Sequence, residues 1–218
     1  MSRSVTGDGV PSLSASNTVI SVRQTLRAET RLVHERLHEH PIFDGLATGT
    51  LGPVAYRALL AALIGFHRPL ENSIVKTPAS WWFGLDPQPR LRAHLLICDL
   101  ADVGFDTAWV DLLPFAHIPP TESAGQLLGR LYVREGATLG GRVIARTLDP
   151  LLGDGDAGRR FFAGTPDNGR LWGEVCDALE TAGRAGHLDD IVEAARATFD
   201  AFEVWMNAAH ARIAGHHS

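Results

Sequence analysis

Cysteine is scarce in this sequence, which contains only Cys98 and Cys176 among 218 residues. The two thiols are far apart and form no C-x-x-C pair, so the sequence predicts neither a zinc knuckle nor a dithiol redox couple. A chain with so few cysteines suits a reducing compartment. We therefore expect a cytoplasmic protein.

Long apolar runs and an excess of positive charge are also missing. No segment approaches the roughly 18 consecutive apolar residues that a membrane-spanning helix requires, so we expect no membrane span. The formal net charge is −5 with both signs interspersed, which argues against nucleic acid as a partner. Residues 1–18 are rich in Ser, Gly and Thr without an apolar signal-peptide run, and we expect a flexible tail before a helical domain at 19–214.

The motifs of several common chemistries are absent as well. There is no G-x-S-x-G elbow, no phosphate-binding P-loop and no glycine-rich dinucleotide motif after a strand. Carboxylate diiron proteins need two E-x-x-H pairs on bundle helices, and this register occurs once, from Glu35 to His38. The missing motifs argue against a serine hydrolase, a P-loop nucleotide-binding protein, a dinucleotide-dependent enzyme and a diiron protein.

Helical spacing of apolar residues runs through the sequence, whereas the period-two alternation of a half-buried strand is not sustained anywhere. Caps and prolines mark the ends of the predicted helices, with Ser16, Asn17 or Ser21 before the first and Pro53 at the start of the second. A hydrophobic content of 45% suits one globular domain. The sequence predicts an all-α domain of six to eight helices, at about 16–40, 53–74, 90–103, 121–149, 169–182 and 188–213.

Three glycines interrupt an otherwise helical stretch, LYVREGATLGGRVIARTL at 131–148. A glycine inside a helix costs roughly 1 kcal/mol relative to alanine, so Gly136, Gly140 and Gly141 together cost on the order of 3 kcal/mol. Gly136 and Gly140 are four residues apart and share a face, with Gly141 beside them. Such bare backbone admits either a closely packed second helix or a flat ligand.

The sequence has ten histidines, and His34 is distinctive because it lies within the first predicted helix, between Val33 and Leu37. A neutral imidazole on such a helix can hold a haem iron, although an isolated helical histidine is more often simply packed or exposed. A zinc site formed with His38 and His40 is an alternative. His38 lies one turn after His34 on the same face, but His40 lies off that face, which makes zinc the weaker interpretation.

Two stretches, LRAETRLVHERL near the start and LYVREGATLGGRVI past the middle, resemble the haem oxygenase family. The likeness is strongest to the bacterial biliverdin-producing members that accompany bacteriophytochromes. The ending ATFDAFEVWMN also resembles the family's last helix, so the resemblance extends from about Arg23 to Trp205. It implies a single-domain helical bundle in which haem lies between the first, proximal helix and a kinked, glycine-rich distal helix.

The resemblance also implies roles for individual residues. His34 matches the proximal iron ligand, and Arg27, two turns before it, matches a basic residue near a haem propionate. Tyr132 matches a residue of the distal pocket. The catalytic surface of the distal helix corresponds to Gly136, Ala137, Gly140 and Gly141, where larger side chains would occupy the space of the macrocycle and its bound oxygen.

Two positions depart from the family pattern. Many members carry an aspartate after the first distal glycine, where it anchors water near the bound oxygen, but this sequence has Ala137. Thr138 or Arg142 would then contribute to such a network through water. The family often has a glutamate one turn after the iron ligand, and this sequence has His38, which is a weaker acceptor for the ring N–H of His34.

The implied activity is oxidative cleavage of haem, which is both substrate and oxygen-activating cofactor, to biliverdin, carbon monoxide and ferrous iron. The reaction requires O2 and an electron donor such as ferredoxin or a reductase, and a bacteriophytochrome is the expected acceptor of the product. Ala137 favours an alternative, a non-catalytic protein that binds or sequesters haem. A third interpretation is an enzyme of the same architecture that acts on a smaller metabolite, as thiaminase-like relatives do.

Overall fold

The structure is a computed structural model that describes residues 21–215. Within that range the chain forms α-helices joined by turns, with no strand, which confirms the all-α prediction. The α-helices are α1 (Val22–His38), α2 (Asp44–Thr48), α3 (Pro53–Val75), α4 (Ala93–Asp102), α5 (Ala124–Gly136), α6 (Thr138–Thr147), α7 (Asp149–Leu152), α8 (Arg160–Ala163), α9 (Asn168–Arg184) and α10 (Leu188–Gly215). Short 3-10 turns cover Pro41–Phe43, Ala79–Trp82, Gln88–Arg90 and Thr107–Leu112.

The sequence predicted most of the long helices and missed the short ones. The helices α2, α7 and α8 have only four or five residues, which is too short for a periodic pattern to stand out. The predicted tail at 1–18 lies outside the described residues, as do the candidate caps Ser16 and Asn17. Among residues 21–215 we find no helix with the length and apolarity needed to cross a membrane.

The first helix begins at Ser21, one of the three predicted caps. The Ser21 hydroxyl accepts the amide of Gln24, and the Gln24 side chain accepts the amide of Ser21, which forms a reciprocal capping box. The buried face of α1 includes Leu26, Thr30 and Val33. Its opposite face stays accessible to solvent.

The helix α3 continues through Pro69 to Val75 instead of ending there. Proline lacks an amide hydrogen, so the carbonyl of Gly65, four residues earlier, loses its helical partner. That carbonyl accepts the amide of Ala116 at 2.8 Å. The proline therefore ties α3 to the loop that precedes α5.

The predicted glycine-bearing helix at 121–149 is in fact two helices, α5 and α6, which meet at Ala137. The hydroxyl of Thr138 donates to the carbonyl of Glu135 at 2.7 Å, a bond that competes with the regular helical ladder. Ser123 caps the start of α5 by accepting the amide of Gln126 at 3.0 Å. The predicted stretch is therefore helical on both sides of Ala137, where it divides, in keeping with the kinked distal helix that the resemblance implies.

The longest helix, α10, packs against α5, α1, α3 and α9. Two apolar clusters form the core. One lies around α3 and α4 and includes Tyr56 and Phe162, and the other joins α1, α5 and α9 around Leu127 and Leu179. Both clusters share residues of α3 and α10, so these two helices connect the halves of the domain.

Candidate functional site

The iron ligand predicted from the sequence lies on the accessible face of α1. The His34 ring stands 4.5 Å from the ring of His38, centroid to centroid, and 6.1 Å from the ring of Phe199 on α10. Partial burial and then the neighbouring His38 lower the pKa of His34, while Glu35 acts in the opposite sense. The imidazole is therefore neutral at pH 7, which is the form that binds a metal.

Tyr132 brings α5 to this same region of α1. Its phenol lies near Thr30, the residue one turn before His34, close enough for Thr30 to affect its pKa. Burial raises the pKa of Tyr132, whereas Thr30 and the positive charges of Arg23 and Arg27 lower it. The structure thus brings together three predicted site residues: His34 and Arg27 along α1, and Tyr132 facing them.

The three predicted distal glycines have different surroundings. A Cβ atom added at Gly140 would meet no atom within 4 Å, and one added at Gly136 would touch only the ring of Trp172, at 3.6 Å. A Cβ atom at Gly141 would collide with the carbonyl oxygen of Phe162 in α8. Gly140 therefore borders open space, and close packing of α6 on α8 accounts for Gly141.

The residues around the helix break offer few free polar groups. Ala137 is exposed at the junction of α5 and α6. The Thr138 hydroxyl is committed as a donor to the Glu135 carbonyl, and the Arg142 guanidinium donates to the carbonyl of Thr165 at 3.1 Å. A polar network on this surface would have to rely on backbone carbonyls and on the remaining lone pairs of Thr138.

Trp172 of α9 forms part of the wall beside these glycines and was not singled out from the sequence. Its ring lies 5.7 Å from the ring of Tyr132 and in ordinary contact distance of Gly136. Only the amphipathic pattern of the predicted helix at 169–182 signalled its position. We use the name α1–α6 groove for the exposed residues His34 and Gly140 taken together with the rings of Tyr132 and Trp172.

A buried charge cluster lies behind α5, and sequence reasoning missed it as well. The Glu71 carboxylate of α3 accepts the backbone amides of Arg92 and Ala93 at 2.6 and 2.8 Å, and it pairs with the Arg134 guanidinium. It thereby caps α4, because Arg92 provides no side-chain cap. Arg92 in turn donates to the buried Glu135 carboxylate at 2.9 Å.

Some atoms in this cluster have no hydrogen-bond partner among the described residues. They are Arg134 Nη1, Glu135 Oε1 and, nearby on α3, His67 Nδ1. Burial, followed by the charges of Arg134 and Arg92, lowers the pKa of His67 to about 3. His67 is therefore neutral at physiological pH. Arg134 Nη1 and Glu135 Oε1 lie 3.6 Å apart, within ion-pair distance, and His67 Nδ1 suits an ordered water. The sequence signal was the pair Arg134 and Glu135 within the apolar stretch LLGRLYVREG.

His40 does not join His34 and His38. Its Nδ1 accepts the amide of Ile42 at 3.1 Å, and its Nε2 lies 3.2 Å from the side-chain oxygen of Asn207. Both ring nitrogens are thus used in capping and packing. Within residues 21–215 no group of three or more His, Cys, Asp or Glu side chains is arranged to hold a metal ion, so a closed zinc site is not formed there.

Comparisons with known proteins agree with the geometry. The sequence matches the heme oxygenase family over residues 21–208, whereas a comparison with curated proteins finds no match. The fold resembles the NO- and CO-bound heme oxygenase of Neisseria meningitidis, with 20% identity, a TM-score of 0.69 and coverage of 88% of this chain and 92% of that one.

The fold also resembles heme oxygenase-1 of the cyanobacterium Synechocystis sp. PCC6803 in complex with heme. Here the identity is 17%, the TM-score is 0.56, and the match covers 89% of this chain and 96% of that one. At such identities the structural likeness establishes the fold. The match of the family over nearly the whole described chain goes further, and it shows that this chain belongs to the haem oxygenase family.

Proposed function

We propose that the protein cleaves haem oxidatively to biliverdin, carbon monoxide and ferrous iron, using O2 and external electrons. Family membership supports this reaction. The observation that carries it is the α1–α6 groove, which has an accessible, neutral imidazole at His34 and open space over Gly140. A flat macrocycle bound through its iron needs both features.

The residues of the groove fit haem chemically. No hydrogen bond joins the His34 ring to another residue in 21–215, so a ring nitrogen is available for iron. Arg27 is exposed on the same face of α1, where its guanidinium can pair with a propionate carboxylate. The aromatic rings of Tyr132 and Trp172 supply an apolar wall. When bound, haem supplies the iron at which O2 is activated.

We assign the following roles to the chain. His34 holds the iron and Arg27 orients the propionates, while Tyr132 fixes the distance between α1 and α5 through its contact with Thr30. Gly136, Ala137, Gly140 and Thr138 form the distal surface. Gly141 acts indirectly, because its missing side chain lets α6 settle on α8 and so sets the height of that surface.

The reaction also requires an electron donor, and we keep ferredoxin or a reductase as the candidates. A bacteriophytochrome remains the proposed acceptor of biliverdin. A second candidate function is haem binding without turnover. Ala137 favours it, since an alanine at the helix break cannot donate or accept the side-chain hydrogen bond that the family's aspartate provides.

Titration with haemin tests the site. We expect a Soret band for the wild-type chain, loss of its coordination signature in His34→Ala, and weakened binding in Gly140→Leu. His94→Ala is the matched histidine control, because His94 is exposed on α4. Gly140→Ala is the matched control at the groove, where a methyl group meets no atom. Wild-type haemin binding by both His34→Ala and Gly140→Leu would refute the assignment.

Turnover separates the candidate functions. With a reductant and O2 we expect haem absorbance to decay while a biliverdin band grows. Stable haem absorbance under these conditions would favour a haem-sequestering protein. No absorbance change on adding haemin to the protein would favour an enzyme acting on a smaller metabolite.

A further inference from the structure

His34 has a second possible use, because it forms a pair with His38. The two histidines occupy positions i and i+4 of α1 in the stretch HERLH, and their ring centroids lie only 4.5 Å apart. Both side chains are exposed, and neither forms a hydrogen bond with another residue in 21–215. The haem chemistry proposed above uses His34 as the iron ligand and gives His38 no part in binding a metal.

Metal geometry suits such a pair. Imidazole nitrogens bind Zn²⁺ at about 2.0–2.1 Å, so two of them on one tetrahedral ion lie roughly 3.3 Å apart. Residues at i and i+4 of a helix have Cβ atoms about 5–6 Å apart, and small χ rotations bring the two nitrogens to that separation. The two imidazole rings stand at 70° to each other, and both residues are exposed, so the rings can turn towards solvent.

We propose that the haem-free protein binds one divalent first-row transition ion through His34 and His38. Imidazole is a preferred ligand of zinc, copper and nickel, and the expected order of affinity places Cu²⁺ above both Ni²⁺ and Zn²⁺. Water completes the coordination shell. The site is open and exchangeable, because the described residues provide no third ligand.

The HERLH stretch has the H-E-x-x-H spacing of zinc metalloproteases, but the structure does not support that chemistry. In those enzymes the glutamate acts as a general base beside the metal. Here the Glu35 carboxylate forms an ion pair with Arg31, at 2.9 Å, along the exposed side of α1. The pair of histidines is therefore a chelating site and not a hydrolytic centre.

The consequence is competition, a step that rests on the proposed role of His34 as the haem ligand. An imidazole nitrogen that binds a metal ion cannot at the same time bind haem iron. Metal and haem thus exclude one another, and the metal-bound chain is closed to substrate until the ion leaves. At a zinc concentration ten times its own Kd, the apparent Kd for haemin rises about elevenfold.

Calorimetric titration of the haem-free, full-length chain with Zn²⁺ alone tests the site. All variants carry His216→Gln and His217→Gln, so that the two terminal histidines do not contribute. We expect one Zn²⁺ per chain in this background, and at least a tenfold rise in Kd for His38→Gln and for His34→Gln. His94→Gln is the control and should bind Zn²⁺ unchanged. Zinc affinity that survives His38→Gln overturns the proposal.

Haemin titration in the presence of Zn²⁺ tests the competition separately. We expect zinc to raise the apparent Kd for haemin in the parent chain and to have no such effect in His38→Gln. If Zn²⁺ binding depends on both histidines but haemin does not bind, the metal site stands and the haem function fails. If haemin binds through His34 but His38→Gln leaves the zinc affinity unchanged, the haem function stands and the metal site fails.

Discussion

The helices α5 and α6 carry glycines at two kinds of position: those in contact with other helices, which we call the closed side, and those that face open space, which we call the open side. On the closed side, a Cβ atom at Gly129 would collide with the carbonyl of Ile191 in α10, and one at Gly141 with the carbonyl of Phe162 in α8. On the open side, Gly140 faces nothing within 4 Å. Glycine therefore serves two opposite purposes here, to admit another part of the chain and to keep a space empty.

The closed side also holds the buried charge cluster, and this explains how the open side keeps its shape. Arg134 and Glu135 fix α5 to α3 and to the start of α4 through Glu71 and Arg92. A helix pair held by packing and ion pairs to its neighbours can keep an exposed surface elsewhere without collapsing. Such support from behind is what a preorganised binding surface needs.

The largest effect should come from removing the acidic partner on the closed side. Glu71→Ala leaves the buried Arg134 guanidinium and the first amides of α4 without their acceptor. Removing one member of a buried ion pair costs about 3–5 kcal/mol of the free energy of unfolding. Urea unfolding measures this loss, with Glu39→Ala, an exposed carboxylate on the end of α1, as the control. A loss of less than about 1 kcal/mol would show that the cluster does not anchor α5.

Packing at Gly129 is the next test. Gly129→Ala places a methyl group against the Ile191 carbonyl and 2.8 Å from the Cβ of Ala194, and neither neighbour is a flexible side chain. Because α10 must shift to relieve the contact, we expect a loss of about 2–3 kcal/mol in urea unfolding. An unchanged free energy of unfolding would mean that α5 and α10 are less closely packed than the structure shows.

The sequence predicted features that depend on local patterns. Ser21 was one of three predicted caps and Pro53 was predicted to start a helix, and the structure confirms both. Gly140 and His34 were predicted to be parts of a ligand site. Each of these residues could be identified from the residues next to it in the sequence. The outcome for the fold confirms that reasoning, whereas the assignment of the site residues to haem remains a prediction.

The missed features depend on residues far apart in the sequence. Nothing near Gly141 reveals that Phe162 will close over it, and nothing near Arg134 reveals that Glu71, on α3, will be its partner. The division between α5 and α6 at Ala137 is also something that a search for periodic apolar residues does not detect. Contacts between residues far apart in the sequence, and the exact point at which a helix divides, could therefore not be predicted from apolar periodicity.

The pH dependence of stability also tests the closed side, with a smaller expected effect. His67 is buried, and desolvation followed by the charge of Arg134 lowers its pKa to about 3. Between that value and the unfolded pKa of about 6.5, the unfolded chain binds a proton that the folded chain does not, so stability falls as the pH falls. At pH 5 this amounts to about 2 kcal/mol relative to neutral pH.

Urea unfolding from pH 5 to pH 7.5 measures this contribution. His67→Leu should reduce the pH dependence between pH 5 and 6 by close to one proton, since all other titrating groups are retained. The free energy of unfolding of the variant at neutral pH shows any effect of changed packing separately. An identical pH dependence in both proteins would place His67 in contact with solvent and not behind α5.

The smallest effect contrasts two adjacent residues. Gly140→Ala adds a methyl group that meets no atom, and it removes the entropic cost of glycine in a helix, so we expect a gain of about 0.5–1 kcal/mol in the free energy of unfolding. Gly141→Ala, one position later in the same helix, has the same propensity gain but collides with the Phe162 carbonyl, so its net effect should be a loss. Because helix propensity is common to both, the difference in sign isolates what each residue faces. A loss in both variants would mean that α6 has no open side, and the groove would then have no room for a macrocycle. A gain in both would mean that α8 does not pack closely on Gly141.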